Sequence, residues 1–179
     1  APFHQSNKTE IAVTFDDGYA DALSTIGPEL SKRGIPFHVF VTPEKLTSGD
    51  PRYLSTPELR ELATIPGATI GAHGATHRSL TSLTIDEAEA DLHNSKQQLE
   101  NILQTPITTM SYPYGHVNGD VRAAAKRVGF TVAACSKWGV NNEHSDALLL
   151  NRLDMWAGDN SRTIQNKVLG YWNFLGRRT

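Results

Sequence analysis

The chain has 179 residues, of which 39% are hydrophobic and 20% charged, with a formal net charge of −2. That length can bury a core as one domain, taken as residues 1–179, and the near-neutral balance argues against a nucleic-acid footprint. No apolar run approaches the roughly 18 residues that would span a bilayer, and the lone Cys135, in FTVAAC, excludes an internal disulfide framework and reads as a small buried residue.

In chain order, IAVTF (11–15) reads as a buried strand, rich in β-branched and aromatic residues. ADALSTIGPELSKRG carries Leu23, Ile26 and Leu30 at helical spacing, with Gly27-Pro28 dividing it and Gly34 as a stop. PFHVFVTP (36–43) is a second strand, and Thr56 is expected to cap a helix over TPELRELA. ATIGAH (68–73) is a third strand. A long helix follows, with Thr84 and Glu87 as a capping box and one stripe of Ala88, Leu92, Ser95, Leu99, Ile102 and Leu103. TTMSY is strand four. NGDVRAAAKRVG is a helix capped by Asn118 and stopped at Gly129. FTVAAC and ALLLNRLDM are strands five and six, and SRTIQNKVLGYWNFL a final amphipathic helix. This alternation predicts an α/β fold with a largely parallel sheet, either an open doubly wound sheet or a small barrel. Both place active sites at the C-terminal ends of the strands.

Chemistry-bearing residues gather at those ends. TFDDG puts Asp16 and Asp17 side by side after strand one, where a turn at Gly18 can aim both carboxylates into one pocket. A metal ion would relieve their repulsion by taking one as a ligand and leaving the other as a base. Taken alone, the pair is equally a solvated loop. His73 and His77, in GAHGATH after strand three, have a common metal-ligand spacing. With seven histidines in the chain a chance pair is the competing explanation, but parallel strands would bring them to the carboxylates. One carboxylate and two imidazoles leave open positions on Zn²⁺ or a similar ion, as a catalytic site requires. MSYPYGHVNG follows strand four, and its Tyr112, Pro113, Tyr114 and Gly115 form a rigid aromatic turn.

Together these elements resemble the polysaccharide deacetylases of the NodB-homology type, carbohydrate esterase family four. TFDDG matches the first family motif, His73 and His77 the histidines of the second (H-[ST]-x-x-H), and PYG the end of the third. The resemblance implies an incomplete or distorted (β/α) barrel. It makes Asp17, His73 and His77 the ligands of a divalent metal, Zn²⁺ first with Co²⁺, Ni²⁺ or Mn²⁺ as alternatives. It makes Asp16 the general base and the Tyr114 backbone N–H an oxyanion donor. The reaction implied is hydrolysis of N-acetyl groups on the amino sugars of a glycan, a bacterial exopolysaccharide or cell-envelope polysaccharide being the leading class. Rival readings are a small non-glycan amide or O-acetyl ester as substrate, and a carbohydrate-binding module that kept the metal site but lost turnover. Nothing demands an oligomer, and a monomer is expected. A cell-envelope or secreted location is expected from the resemblance, although APFHQSNKTE lacks the apolar stretch of a signal peptide.

The match fails in three places. Gly74 stands where the second motif has Ser or Thr, so the loop must be held differently. SYPYG lacks the Arg of the usual R-x-P-Y-G, a pattern similar to the exopolysaccharide branch of the family. LLLNRLDM lacks the His that usually serves as general acid. Arg152 is the candidate to orient Asp16, or else it pairs with Asp154. The acid is open among His116, His38, His144 and water at the metal, with His116 the best placed. Tyr112, Pro113, Tyr114, Trp138 and Trp156 are candidates to line a sugar-binding groove.

Overall fold

The computed structural model describes residues 10–171. Six strands form one sheet: β1 (Val13–Phe15), β2 (Phe37–Val41), β3 (Ala68–Ala72), β4 (Thr109–Ser111), β5 (Val132–Trp138) and β6 (Leu150–Arg152). Every neighbouring pair is parallel, and the order is sequential, β1 to β6. A doubly wound sheet reverses its strand order at a switch point. This one never reverses, so its winding is that of a barrel.

The sheet also curls. In a flat sheet, β1 and β6 would stand five strand spacings apart, about 24 Å. Yet Arg152, the last residue of β6, reaches Thr14 on β1 at 3.4 Å and Asp16 just beyond it at 2.7 Å. One side chain spans the gap between the two edges. The result is an open half-barrel, the incomplete (β/α) barrel that the motifs imply.

Helices cover the sheet: α1 (Gly27–Lys32), α2 (Pro43–Leu46), α3 (Thr56–Leu62), α4 (Ile85–Leu103), α5 (Gly119–Val128) and α6 (Ser161–Val168). The segment before α1 is a π-helical turn, Ala22–Ile26, and the division at Gly27-Pro28 is where it becomes α-helical. A Cβ on Gly27 would lie 2.8 Å from the Ala22 carbonyl oxygen and 2.9 Å from Ile65 Cδ1, so the switch is built around the missing side chain. The cap of α3 is Ser55, not Thr56, because Glu58 accepts from both the hydroxyl and the backbone N–H of Ser55. On α4 the box forms as expected, with Thr84 N–H donating to Glu87 at 2.9 Å. Ala88, Leu92, Ser95 and Leu99 are buried along one stripe, and Ile102 and Leu103 pack at its edge. Each fully buried leucine contributes about 2 kcal/mol. Asn118 accepts from Val121 N–H to open α5, and Gly129 closes it at φ 98°. The last helix, α6, stops earlier than its amphipathic pattern suggests, with Gly170 at φ 82° just after it. The rest of that expected helix, 172–175, lies outside the described residues.

Beneath the rim, His38 on β2 shares a hydrogen bond with Thr109 on β4 at 2.8 Å and stacks on Phe40. Burial pushes its imidazole down to about 4, against the pull of Asp16. Neutral His38 therefore adds stability that is fully present above the ordinary histidine pKa, near 6.5, and is lost as pH falls from there through about 4. The loss is expected to be on the order of 3 kcal/mol. Urea unfolding at pH 7 and pH 4 checks this. His38→Leu should flatten that part of the profile, and an equally steep profile in the variant would assign the loss to other groups.

Candidate active site

The C-terminal ends of the strands share one rim, and the residues flagged in the sequence meet there. Asp16 and Asp17 follow β1, His73 and His77 follow β3, the Pro113–Gly115 turn follows β4, and Arg152 ends β6. Four non-glycine residues among those described have positive φ: Asp17 (75°), His77 (55°), Tyr114 (59°) and Gln104 (55°). Gln104 is a helix C-cap; the other three all lie on this rim. A left-handed conformation costs such residues on the order of 1–2 kcal/mol each, and strain of this kind collects where side chains must be aimed.

Asp17, His73 and His77 form a closed set. Asp17 Oδ1 lies 2.9 Å from His77 Nε2 and 3.8 Å from His73 Nε2. One donor atom from each residue falls within 4.8 Å of the others. Two ligands each about 2.1 Å from one ion stand roughly 3–4 Å apart, so the set is on the scale of a single cation. Its chemistry fits as well. The Nδ1 of His73 lies 2.8 Å from the Ser111 carbonyl oxygen, which fixes Nδ1 as the protonated nitrogen and leaves Nε2 as a ligand. Burial pushes His73 below its ordinary range, against the nearby carboxylates, and so keeps it in the neutral form that binds metals. The hydrogen bond with His77 holds the Asp17 carboxyl well below the usual carboxylate range; burial opposes this and Lys45 adds to it. These three residues fit a divalent metal.

Asp16 is held apart from that set. Arg152 grips it with two hydrogen bonds, Nη1 to Oδ1 and Nη2 to Oδ2, both 2.7 Å. Ser111 donates its hydroxyl to Oδ2 at 3.1 Å. Ser111 occupies the position of the motif's missing Arg, and the guanidinium arrives instead from the opposite edge of the sheet. The expected alternative, an Arg152–Asp154 pair, is not the hydrogen-bonding arrangement; Arg152 also donates to the Cys135 carbonyl oxygen, and Asp154 accepts from the Trp138 indole. Burial pushes the Asp16 carboxyl up, but Arg152's hydrogen bonds and charge outweigh it and hold it below the usual range.

Replacing Arg152 by Met is therefore expected to raise the Asp16 pKa, because burial then acts with its main opponent gone. A reaction that needs ionised Asp16 would lose activity on the acidic side first, and the acidic limb of its pH–rate profile would move to higher pH. Stability should fall by about 2–3 kcal/mol, the cost of a partly buried charge without its partner. A limb that stays in place would show that Arg152 does not tune Asp16.

The remaining candidates divide. Tyr112 is not a groove residue: it is fully buried, its hydroxyl donates to the Leu148 carbonyl oxygen at 2.9 Å, and Pro113 is buried beside it. The strand's alternation turns Tyr112 into the core. Tyr114 is exposed, and its ring lies against His77 with centroids 4.7 Å apart. His116 is exposed, 2.9 Å from the Ser79 hydroxyl. His144 lies in an exposed loop beside Glu143. Trp138 is half-buried and Lys167 lies over its ring, an arrangement of packing, whereas Trp156 is exposed.

Lys45 was not anticipated. Its ammonium donates to Asp17 Oδ1 at 2.9 Å and lies 4.4 Å from the Tyr53 ring centre. Its sequence signal was its place two residues after Pro43, just past the end of β2 and hence on the same rim.

Comparisons with known proteins point to one family. A family model described as polysaccharide deacetylase matches residues 4–133. YxkH of Bacillus subtilis (strain 168), a protein assigned by name to the polysaccharide deacetylases, is 26% identical over 148 residues, 83% of this chain and 52% of its own length. Chitin deacetylase 1 of Cryptococcus neoformans var. grubii (serotype A, strain H99) is 28% identical over 125 residues, 70% of this chain and 25% of its own. The chain thus spans about half of the first relative and a quarter of the second. The fold is shared with the Streptococcus pyogenes deacetylase PplD, solved in complex with acetate, at a TM-score of 0.80 and 21% identity, over 87% of this chain and 68% of that one. With a parallel half-barrel, a rim that carries DDG, His-x-x-x-His and PYG, and a family model matching most of its length, the chain belongs to the polysaccharide deacetylase family.

Proposed function

We propose that this chain is a metal-dependent hydrolase that removes N-acetyl groups from the amino sugars of a glycan, with a bacterial exopolysaccharide or cell-envelope polysaccharide as the leading substrate. The observation that carries this reading is the division of labour between two adjacent carboxylates. Asp17 turns to His73 and His77, while Asp16 is clamped by Arg152 and Ser111 with His73 Nε2 4.0 Å away.

Asp17, His73 and His77 would hold the cation. A divalent metal supplies Lewis-acid chemistry, which makes water a nucleophile at neutral pH and polarises the acetyl carbonyl. The protein's own groups then act in turn. Asp16, kept ionised by Arg152, takes the proton from the attacking water. The Tyr114 backbone N–H donates to the developing oxyanion, worth roughly 3–4 kcal/mol for a well-placed donor. The C–N bond breaks with its electron pair going to nitrogen, and His116 is the proposed acid that returns a proton to the amine. Tyr114 and Trp156, both exposed, offer ring faces to a sugar. His38 is set aside as the acid: it is held neutral beneath the rim by its place between Phe40 and Thr109.

The test is a comparison of N-acetylated glycan oligomers, small N-acetyl amides and small O-acetyl esters, following release of acetate. Turnover that rises with oligomer length supports the glycan reading. Equal turnover of small esters and no turnover of oligomers would replace it with the small-molecule alternative. Binding of oligomers with no release from any substrate would replace it with the binding-module reading.

A further inference from the structure

Gly74 removes the residue that would ordinarily brace the loop between the two histidines. The structure supplies a brace from elsewhere. Asp91, on the buried face of α4, is 5% exposed and points into the turn of this loop. Its Oδ1 accepts from the Ala75 backbone N–H and its Oδ2 from the Thr76 hydroxyl, both at 2.7 Å. Gly74, at φ 69°, makes the approach feasible: a Cβ there would lie 3.0 Å from Asp91 Oδ1 and 3.1 Å from Pro113 Cγ. The two bonded residues are the pair immediately before His77.

The two histidines are held by different devices. His73 is fixed by the sheet: its N–H donates to the Val41 carbonyl oxygen, its own carbonyl accepts from Thr42, and its ring meets Ser111. His77 has no such anchorage in β3 and sits in a left-handed conformation four residues further on. On the loop's other side, the Ala75 carbonyl accepts from Glu44 N–H at 3.2 Å, so the turn is tied both to α2 and to α4.

We infer that Asp91 is a positioning residue for the metal centre: it replaces the brace lost at Gly74 and sets the backbone from which His77 presents its imidazole. This rests on the reading of Asp17, His73 and His77 as metal ligands. Groups that orient ligands typically change metal affinity by about 10–100-fold when removed. Asp91→Ala is expected to weaken Zn²⁺ or Co²⁺ binding by a factor in that range. Asp91→Asn should recover most of it, since its side-chain oxygen can still accept from Ala75 N–H. Thr76→Val, which removes one of the two bonds and leaves the helix untouched, should show a smaller loss in the same direction.

The experiment is a competitive chelator titration of each folded variant with Zn²⁺, and the visible spectrum of the Co²⁺ form, which reports ligand geometry without any substrate. Weaker binding and an altered spectrum in Asp91→Ala and Thr76→Val, with Asp91→Asn close to the parent, is the expected result. If Asp91→Ala does not fold, Thr76→Val and Asp91→Asn carry the same comparison. Affinities and spectra equal to the parent's would overturn the positioning role and leave Asp91 as a stabiliser of α4. A parent protein that binds neither ion would instead overturn the metal reading itself, and this inference with it.

Discussion

Replacing Asp17 by Ala is expected to abolish metal binding and to take hydrolysis to background. Asp17 Oδ1 is the atom on which the site converges, 2.9 Å from His77 Nε2 and 3.8 Å from His73 Nε2. Without it, two imidazoles remain, one short of the three protein ligands that catalytic zinc sites commonly use. Folding should survive with some loss of stability, since the low pKa of the carboxyl reports favourable contacts with His77 and Lys45, although Lys45 can turn to Tyr53 once its partner is gone. Metal analysis after dialysis is the check, with His73→Ala and His77→Ala alongside. Full occupancy in all three variants would remove this triad from the account.

Asp16→Asn should separate catalysis from metal binding. The metal set does not include Asp16, so occupancy is expected to stay near that of the parent. Loss of a general base typically lowers the rate by about 10²–10⁴-fold, and kcat is expected to fall within that range. Some stability should go as well, since the amide places an NH₂ group against an Arg152 guanidinium that now grips two carboxylate oxygens. A variant that keeps its metal and a near-normal kcat would show that another group takes the proton.

These two variants also mark what was legible in the sequence. Asp16, Asp17, His73 and His77 could be placed together because each follows an apolar strand, and parallel strands end on one rim. Local chemistry was enough for the capping box of α4, the Asn118 cap and the Gly129 stop. The Ser55 cap was displaced by one residue because Ser-Thr-Pro offers two hydroxyls, and only the bond to Glu58 decides between them. Arg152 could be named but not placed. Its partner lies 136 residues away, and the contact depends on how far the sheet curls. Tyr112 was misjudged because a motif that contributes to a rim need not expose every residue; the strand's alternation buries it. Asp91 gave a signal that was overlooked. It sits at helical spacing from Ala88 and Ser95, on the apolar stripe, where a carboxylate needs partners.

In the proposed mechanism one metal ion, held by Asp17, His73 and His77, works with a base that is not among its ligands. The most direct measurement is amine release from an N-acetylated glycan oligomer by chelated protein, titrated with Zn²⁺ or Co²⁺. No turnover is expected before metal is added, then a linear rise and a plateau at one equivalent per chain, with Asp17→Ala inactive at every concentration. Turnover by metal-free protein that added metal leaves unchanged would contradict it.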